Sequence, residues 1–253
     1  GLLPKFDPLD NFNEKVFSNR ISYFKKRKKN FYVNLSPTFY LVEKKERKDN
    51  NFHTLLFSLT ESHKFQFKPV SVPFYNDWLG ELKSFIFIAR SLKKEIKTNL
   101  KFRVKNLGFF HDDYFETYKI LSEEFGRNKV DIKNKNSYFD TISKSKLVVH
   151  NYGQTSFTEC MYLNIPSIIF FKKDIMQLDN FSNQIFLNMK KNNLAFEKPE
   201  KLIKHINQNW NDLNDWWHSK KVQDLRKIYL NNYFFKQKNP IEKWDRFLRK
   251  VKK

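Results

Sequence analysis

Apolar and polar positions recur with two different periods along this chain, and from about residue 52 they predict strands and helices in turn. Short apolar runs of strand type are followed by longer segments in which apolar residues recur every three or four positions. In the first such helix, from about Trp78 to Lys94, the residues Leu79, Leu82 and Ile86 fall on one face. The predicted strands are Thr54–Ser58, Leu100–Val104, Val130–Ile132, Lys146–His150, Pro166–Phe171 and Leu194–Phe196. The other predicted helices are Tyr114–Glu124 closed by Gly126, Phe139–Ser143, Ser156–Leu163, Asp179–Lys191 and Pro199–Gln208, with only helices beyond Asn211.

Strands that alternate with helices of this length predict βαβ units. The expected fold is therefore an α/β, Rossmann-like parallel sheet flanked by helices, with a helical C-terminal tail. In such sheets ligands bind at the carboxyl ends of the strands, which directs attention to residues 54–58, 100–104 and 146–150.

The first fifty residues follow a different pattern. Prolines at 4 and 8 indicate loops, a short helix is predicted through Ile21–Phe24, and 31–35 fits a strand or a connecting segment. The charged run 43–51 is typical of an exposed linker. We therefore expect residues 1–51 to be the end of an N-terminal domain and an interdomain segment, and residues 52–253 to form the Rossmann-like domain.

Composition adds a strong positive charge to this outline. The chain has 48 Lys and Arg against 27 Asp and Glu, for a net charge of +21, which attracts nucleic acid, an anionic membrane face or phosphorylated substrates. The many Lys, Asn, Phe and Ile codons of an AT-rich genome explain the same charge without any function. A single cysteine, no apolar run of membrane-spanning length and no signal peptide indicate a cytoplasmic protein.

The segment His150–Glu159 joins a buried-type strand to the start of a helix and is polar throughout its turn. A helix N-terminus offers unpaired N–H groups and a partial positive charge, which suit a diphosphate, and Gly153 allows a close approach of the backbone. Glu159 lies about one turn after Thr155 and is placed to accept hydrogen bonds from ribose hydroxyls. Ser156 and Glu159 also fit a capping box that needs no ligand, so both interpretations stay open.

The wider segment 145–171 resembles the carboxyl-terminal domain of GT-B glycosyltransferases. There a strand, a Gly/Thr/Ser turn, a helix carrying Glu, an Asn/Gly-x-Pro turn and a further strand occur in this order. Within that class the resemblance is to transferases of bacterial surface-polysaccharide loci. It extends over residues 52–250 and includes the Trp216–Trp217 pair followed by Val222, Gln223 and Arg226.

The resemblance implies transfer of a sugar from a nucleotide-activated donor to a surface glycan or lipid-linked acceptor, at the inner face of the membrane. Donor-binding roles are implied for seven residues: Arg103, Asn151, Gly153, Gln154, Thr155, Ser156 and Glu159. His150 is the candidate catalytic base, although a hydrogen-bonded core histidine explains it equally well. No metal and no cofactor are expected. The turn has one glycine where many GT-B enzymes have two or three.

Two other functions compete with this one: a noncatalytic binding or scaffold half, and a basic nucleic-acid-binding protein, which the dispersed charge disfavours. The triplet His111–Asp113 has the residue types of a metal site but is better explained as a polar loop and helix cap. Trp216 and Trp217 are expected to pack rather than to hold a sugar. Cys160 is expected to be a buried, inert thiol.

Overall fold

A computed structural model describes residues 20–22, 32–34, 52–60, 75–105, 117–131, 137–151, 153, 155–170, 180–234 and single positions between 239 and 249. Two strands precede the main fold: β1 (Arg20–Ser22) and β2 (Tyr32–Asn34), which pair with each other in parallel. The remaining strands are β3 (Thr54–Thr60), β4 (Leu100–Lys105), β5 (Val130–Asp131), β6 (Ser145–His150), β7 (Ser167–Phe170) and β8 (Ala195–Phe196). The helices are α1 (Tyr75–Ser91), α2 (Lys94–Thr98), α3 (Thr117–Phe125), α4 (Tyr138–Ser143), α5 (Thr155–Leu163), α6 (Asn180–Lys191), α7 (Pro199–Asn209), α8 (Leu213–His218) and α9 (Lys220–Tyr233).

The six strands β3–β8 form one sheet in the order β5-β4-β3-β6-β7-β8, and every pair in it is parallel. Counted within this sheet, the order is 3-2-1-4-5-6, which is the Rossmann arrangement. The strand order reverses between β3 and β6. Ligands in sheets of this kind bind in the crevice outside the carboxyl ends of the two strands at that reversal.

Helices cover both faces of the sheet because the strands bury side chains on both. On one face Leu55, Phe57 and Val149 join a large apolar core with α1 and α7. On the other face Leu56 and Val148 pack against α4 and α5, and Ile169 packs in a neighbouring cluster with α5, α6 and α9. Strands buried on both faces are the expected form of an all-parallel sheet.

Several helices end where the sequence places a residue suited to left-handed backbone. Gly126, with φ of 94°, follows α3, as the sequence predicts. Asn164 and Asn193, with φ of 57° and 58°, follow α5 and α6, and asparagine tolerates this region better than most residues. These three positions fix where the chain turns back towards the sheet.

The predicted α/β architecture is confirmed, and the element bounds agree within a few residues. The helix predicted through Ile21–Phe24 is wrong, because Arg20–Ser22 is a strand paired with Tyr32–Asn34. The helix predicted from about Trp78 to Lys94 begins three residues earlier and ends three residues earlier, at Tyr75 and Ser91. The helical tail is confirmed by α7, α8 and α9. The predicted domain division at residue 51 stays a prediction, because most of residues 1–51 lie outside the described residues.

Among the residues that the structure describes, none of the helices is both long enough and apolar enough to span a membrane.

Candidate functional site

One side chain connects β3 and β6 at the point where the strand order reverses. Asn151, directly after β6, is buried, and its amide pairs with the backbone of Thr60 at the end of β3. Its Oδ1 accepts the Thr60 N–H at 2.9 Å, and its Nδ2 donates to the Thr60 carbonyl at 3.0 Å. The side chain thereby extends the ladder between β3 and β6 past the end of β6. Asn151 thus lies at the carboxyl end of β6, as expected, and its two hydrogen bonds connect that end to β3.

Four polar residues lie in one row across neighbouring strands, on the sheet face that α4 and α5 cover. Asp131 pairs in register with Arg103, Arg103 with Ser58, and Ser58 with His150. Residues in register on adjacent strands point to the same side of a sheet. We call these four residues the polar row. Two residues earlier along β3 and β6, the same face carries the apolar side chains of Leu56 and Val148.

Arg103 is 8% exposed and is held by its neighbours. Its Nη1 donates to Asp131 Oδ2 at 3.0 Å and to Thr141 Oγ1 at 2.7 Å. Its guanidinium carbon lies 5.6 Å from the centre of the Tyr138 ring, a cation–π contact. The guanidinium that was predicted to bind phosphate thus lies towards the carboxyl end of β4. Its neighbours fix its orientation, and the carboxylate of Asp131 lies beside it.

Tyr138 on α4 links three parts of the site. Its hydroxyl lies 3.5 Å from Ser58 Oγ, 3.5 Å from the Ser156 carbonyl oxygen and 3.9 Å from Cys160 Sγ. Burial raises the pKa of this phenol well above its ordinary value, so it stays protonated. Tyr138 therefore contacts the end of β3 and the first two turns of α5 at the same time.

His150 ends β6 and is 1% exposed. Its ring stands edge-on to the Phe157 ring, with the centroids 5.5 Å apart. Neither ring nitrogen has a hydrogen-bond partner in the described part of the chain. Burial lowers the pKa of this imidazole to about 3, so it is uncharged at neutral pH. The sequence left two interpretations of His150 open, a catalytic base and a hydrogen-bonded core histidine. The described contacts do not show the second.

The turn after His150 leads into α5, which begins at Thr155. Ser156 consequently lies within the first turn of the helix, and the capping box that would make it the N-cap is not formed. Gly153 is buried in the bend before the helix. Tyr152 and Gln154 lie outside the described residues, as does the side chain of Thr155. Their proposed contacts with a ligand stay predictions.

Glu159 is half-buried on the second turn of α5, and its carboxylate acts on the Tyr138 phenol electrostatically. Cys160, the next residue, is buried, as the sequence predicts. Cys160 packs with Leu56 and Val148, and its Sγ lies 3.9 Å from the Tyr138 hydroxyl.

The Trp-Trp segment packs, as predicted. Trp217 is fully buried, and its Nε1 donates to the carbonyl oxygen and the Oδ1 of Asn164 at 3.2 and 3.0 Å. Gln223 donates to the same Oδ1 at 3.1 Å, and Arg226 donates to the Met161 carbonyl at 2.6 Å. The downstream residues of the resemblance thus hold the C-terminal half of α5.

Three residues of the site were not predicted from the sequence: Ser58, Asp131 and Tyr138. Ser58 and Asp131 stand at or near the ends of predicted strands, and a polar residue there is the signal that was available. Tyr138 gives no such signal, because an aromatic residue in a short helix is ordinarily explained by packing.

The residues described do not include a group of three or more His, Cys, Asp or Glu side chains placed to hold a metal ion. The triplet His111–Asp113 lies outside the described residues. His53 is exposed at the start of β3, away from its carboxyl end.

A doubly wound parallel sheet with polar residues at its strand reversal defines an α/β protein of the Rossmann class. The chain belongs to the LIC12162 family of transferases, whose family model matches residues 6–248. No curated protein matches it.

One solved structure to which the chain is similar is that of WaaG, a glycosyltransferase involved in lipopolysaccharide biosynthesis. The sequences are 12% identical, the TM-score is 0.38, and the match covers 71% of this chain and 43% of WaaG. The chain thus matches less than half of the length of WaaG. Agreement this loose assigns neither fold nor function, and the α/β class follows from the strand order itself.

Proposed function

We propose that this transferase moves a sugar from a nucleotide-activated donor to a bacterial surface glycan or a lipid-linked acceptor, and that the chain binds the donor. Membership of a transferase family supports group transfer. The resemblance of residues 145–171 to GT-B enzymes supports a sugar as the group. The crevice at the carboxyl ends of β3 and β6 is the expected place for the nucleotide.

The unpartnered ring of His150 carries the proposal. Buried polar groups are nearly always hydrogen-bonded, and leaving one without a partner costs about 1–3 kcal/mol. His150 lies at the end of β6, beside Ser58 in the polar row and five residues before the first residue of α5. A donor phosphate at the start of α5 would supply the missing partner.

The chemistry that these residues offer is electrostatic. In the transfer, an acceptor oxygen bonds to the anomeric carbon as the bond from that carbon to the diphosphate breaks, and the diphosphate leaves with the electron pair. The N–H groups at the start of α5 and the charge of Arg103 would stabilise the leaving diphosphate. Glu159 would accept hydrogen bonds from ribose hydroxyls.

His150 is a poor candidate for the base that activates the acceptor. With a pKa of about 3, the ring would not hold the acceptor's proton at neutral pH. We therefore propose that it donates a hydrogen bond as an uncharged ring. The base belongs to the acceptor side of the site.

The acceptor side also concerns the membrane. A net charge of +21 favours contact with an anionic membrane face, which is where a lipid-linked acceptor resides. A cytoplasmic location at that face is part of the same proposal.

Calorimetric titration of the protein with three diphosphate donors, UDP-glucose, GDP-mannose and dTDP-rhamnose, tests the proposal. One of the three is expected to bind, and Thr155→Val and Glu159→Gln are each expected to weaken it by about tenfold or more. Glu200→Gln, an exposed acid on α7, is the matched control and should bind as the wild type does. If none of the three nucleotide sugars binds, or if one binds and both site substitutions leave its affinity unchanged, the proposal is wrong.

A further inference from the structure

Helix α9 is bonded to α5 and to the residue that follows it at three points. Tyr229 and Thr158 join their hydroxyls at 2.8 Å, Arg226 donates to the Met161 carbonyl, and Gln223 donates to Asn164. Thr158 and Met161 belong to α5, and Asn164 is the residue directly after its end. The two helices run in opposite directions along this contact, and its end nearest the start of α5 is the bond between Tyr229 and Thr158.

A chain of rings continues from this contact to the polar row. The Tyr229 ring stands edge-on to Phe157 with centroids 5.3 Å apart, and Phe157 stands edge-on to His150 at 5.5 Å. Both Phe157 and Tyr229 are fully buried. Close packing of this kind transmits small displacements, because a well-packed interior has little free volume to absorb them.

The hydroxyl of Tyr229 is not required by the packing. A phenylalanine would fill the same space among apolar neighbours, and it would avoid the burial of a polar group. The hydroxyl instead forms a directed bond with Thr158, one turn inside the start of α5. A bond at this position restrains the rotation of α5 about its axis, together with the bond from Arg226 to Met161.

We infer that Tyr229 is a positioning residue for the donor site: through Thr158 and Phe157 it sets the first turn of α5 and the ring of His150. This inference rests on the proposed function, since the first turn of α5 is the proposed seat of the donor phosphates. A displacement of about 1 Å in such a seat is enough to cost about a hundredfold in catalysis.

The chain offers a matched control one turn along the same helix. Tyr233 is also buried and its hydroxyl also makes a hydrogen bond, which it donates to Ser182 Oγ at 2.9 Å, but that partner lies on α6 and not on α5. Tyr229→Phe and Tyr233→Phe each remove one buried hydroxyl and keep the ring. Each is expected to lower Tm by about 3 °C.

Only Tyr229→Phe is expected to affect the site. It should weaken binding of the nucleotide sugar that the wild type prefers by about tenfold, whereas Tyr233→Phe should bind as the wild type does. Thr158→Val should reproduce the loss, and Thr158→Ser, which keeps the hydroxyl, should restore binding. Equal binding in Tyr229→Phe and Tyr233→Phe would overturn the inference.

Amide hydrogen exchange of α5 without ligand separates this inference from the proposed function. Tyr229→Phe should speed exchange of the amides of residues 157–160 relative to Tyr233→Phe. If it does so while no nucleotide sugar binds even the wild type, the positioning role stands and the proposed function fails. If exchange in α5 is the same in both variants, the positioning role fails whatever the ligand.

Discussion

The side-chain amide of Asn151 bonds to both backbone groups of Thr60, and it does so at the point where the strand order of the sheet reverses. The contact has a counterpart elsewhere in the chain. Asn207 accepts from the Lys93 N–H at 2.9 Å and donates to the Ser91 carbonyl at 3.2 Å. The two asparagines make the same pair of bonds, but Asn151 is buried and the contact of Asn207 is exposed.

Asn151→Ala is therefore expected to cost more stability than Asn207→Ala. The first change leaves two partly buried backbone groups of Thr60 without the amide, at roughly 2–4 kcal/mol, whereas water replaces the lost amide in the second. Urea unfolding of both variants measures the difference. Equal losses would mean that water reaches Thr60 and that this edge of the sheet is not sealed.

Acid is expected to destabilise the fold through two buried histidines. Burial lowers the pKa of His150 to about 3 and that of His205 to about 4, whereas in the unfolded chain both titrate near the ordinary histidine value. As the pH falls, the unfolded chain therefore binds protons before the folded protein does. The free energy of unfolding is at its full value above the ordinary histidine pKa, and it decreases as the pH falls from there towards the pKa of the folded state.

At pH 5 each of these histidines is expected to have removed about 2 kcal/mol from the free energy of unfolding. Denaturant unfolding at pH 7 and pH 5 measures this loss. His150→Phe should reduce the number of protons taken up on unfolding by one, which lowers the slope of the free energy of unfolding against pH. An unchanged slope in this variant would show that His150 is not the group responsible.

Asn164 and Asn193 share a left-handed backbone conformation and differ in what their side chains do. Asn193 is exposed after α6, so Asn193→Gly should be neutral or slightly stabilising, because glycine adopts this φ without strain. Asn164 accepts from Trp217 and Gln223. Asn164→Gly should therefore cost about 1–3 kcal/mol in thermal or urea unfolding. Similar results at the two sites would mean that the bond to Trp217 contributes nothing.

Arg103 and Arg90 form a second matched pair. Arg90 makes a two-pronged salt bridge with Glu124 at 2.6 Å on the surface, whereas Arg103 bonds Asp131 in a largely buried place. Arg90→Met should change stability little, because exposed ion pairs contribute little. Arg103→Met should cost about 3 kcal/mol, because it leaves a partly buried carboxylate unpaired, and it should also abolish nucleotide-sugar binding. Unimpaired binding in Arg103→Met would remove Arg103 from the site.

The fold was predictable from the sequence because its signals are local and repeated. Apolar runs of strand length alternate with helical periods, and residues such as Gly126 mark the ends. The order of the strands was not predictable, since no local pattern in β3 or β6 says which strands become neighbours. Ile21 was placed in a helix because a short apolar segment fits both periods, and its pairing with Val33 decides for a strand.

The site was predictable in part for the same reason. His150 and Arg103 end or nearly end predicted strands, and the general rule for parallel sheets directs attention there. Ser58 and Tyr138 depend on register and on the position of α4, which only the folded chain supplies. The resemblance linked the segment around Asn164 with the one around Trp217, and the hydrogen bond between those two residues is the physical connection.

The bond between Asn151 and Thr60 also bears on the order in which the chain folds. The two residues are 91 positions apart, and the strands β4 and β5 and the helices α1–α4 lie between them in sequence. Contacts between such distant parts of a chain form late, because closing a long loop costs entropy before the contact is made. The bond is thus completed only after β6 has joined the sheet, and a nascent chain that has formed β3 to β5 alone lacks the strand reversal at which we propose that the donor binds.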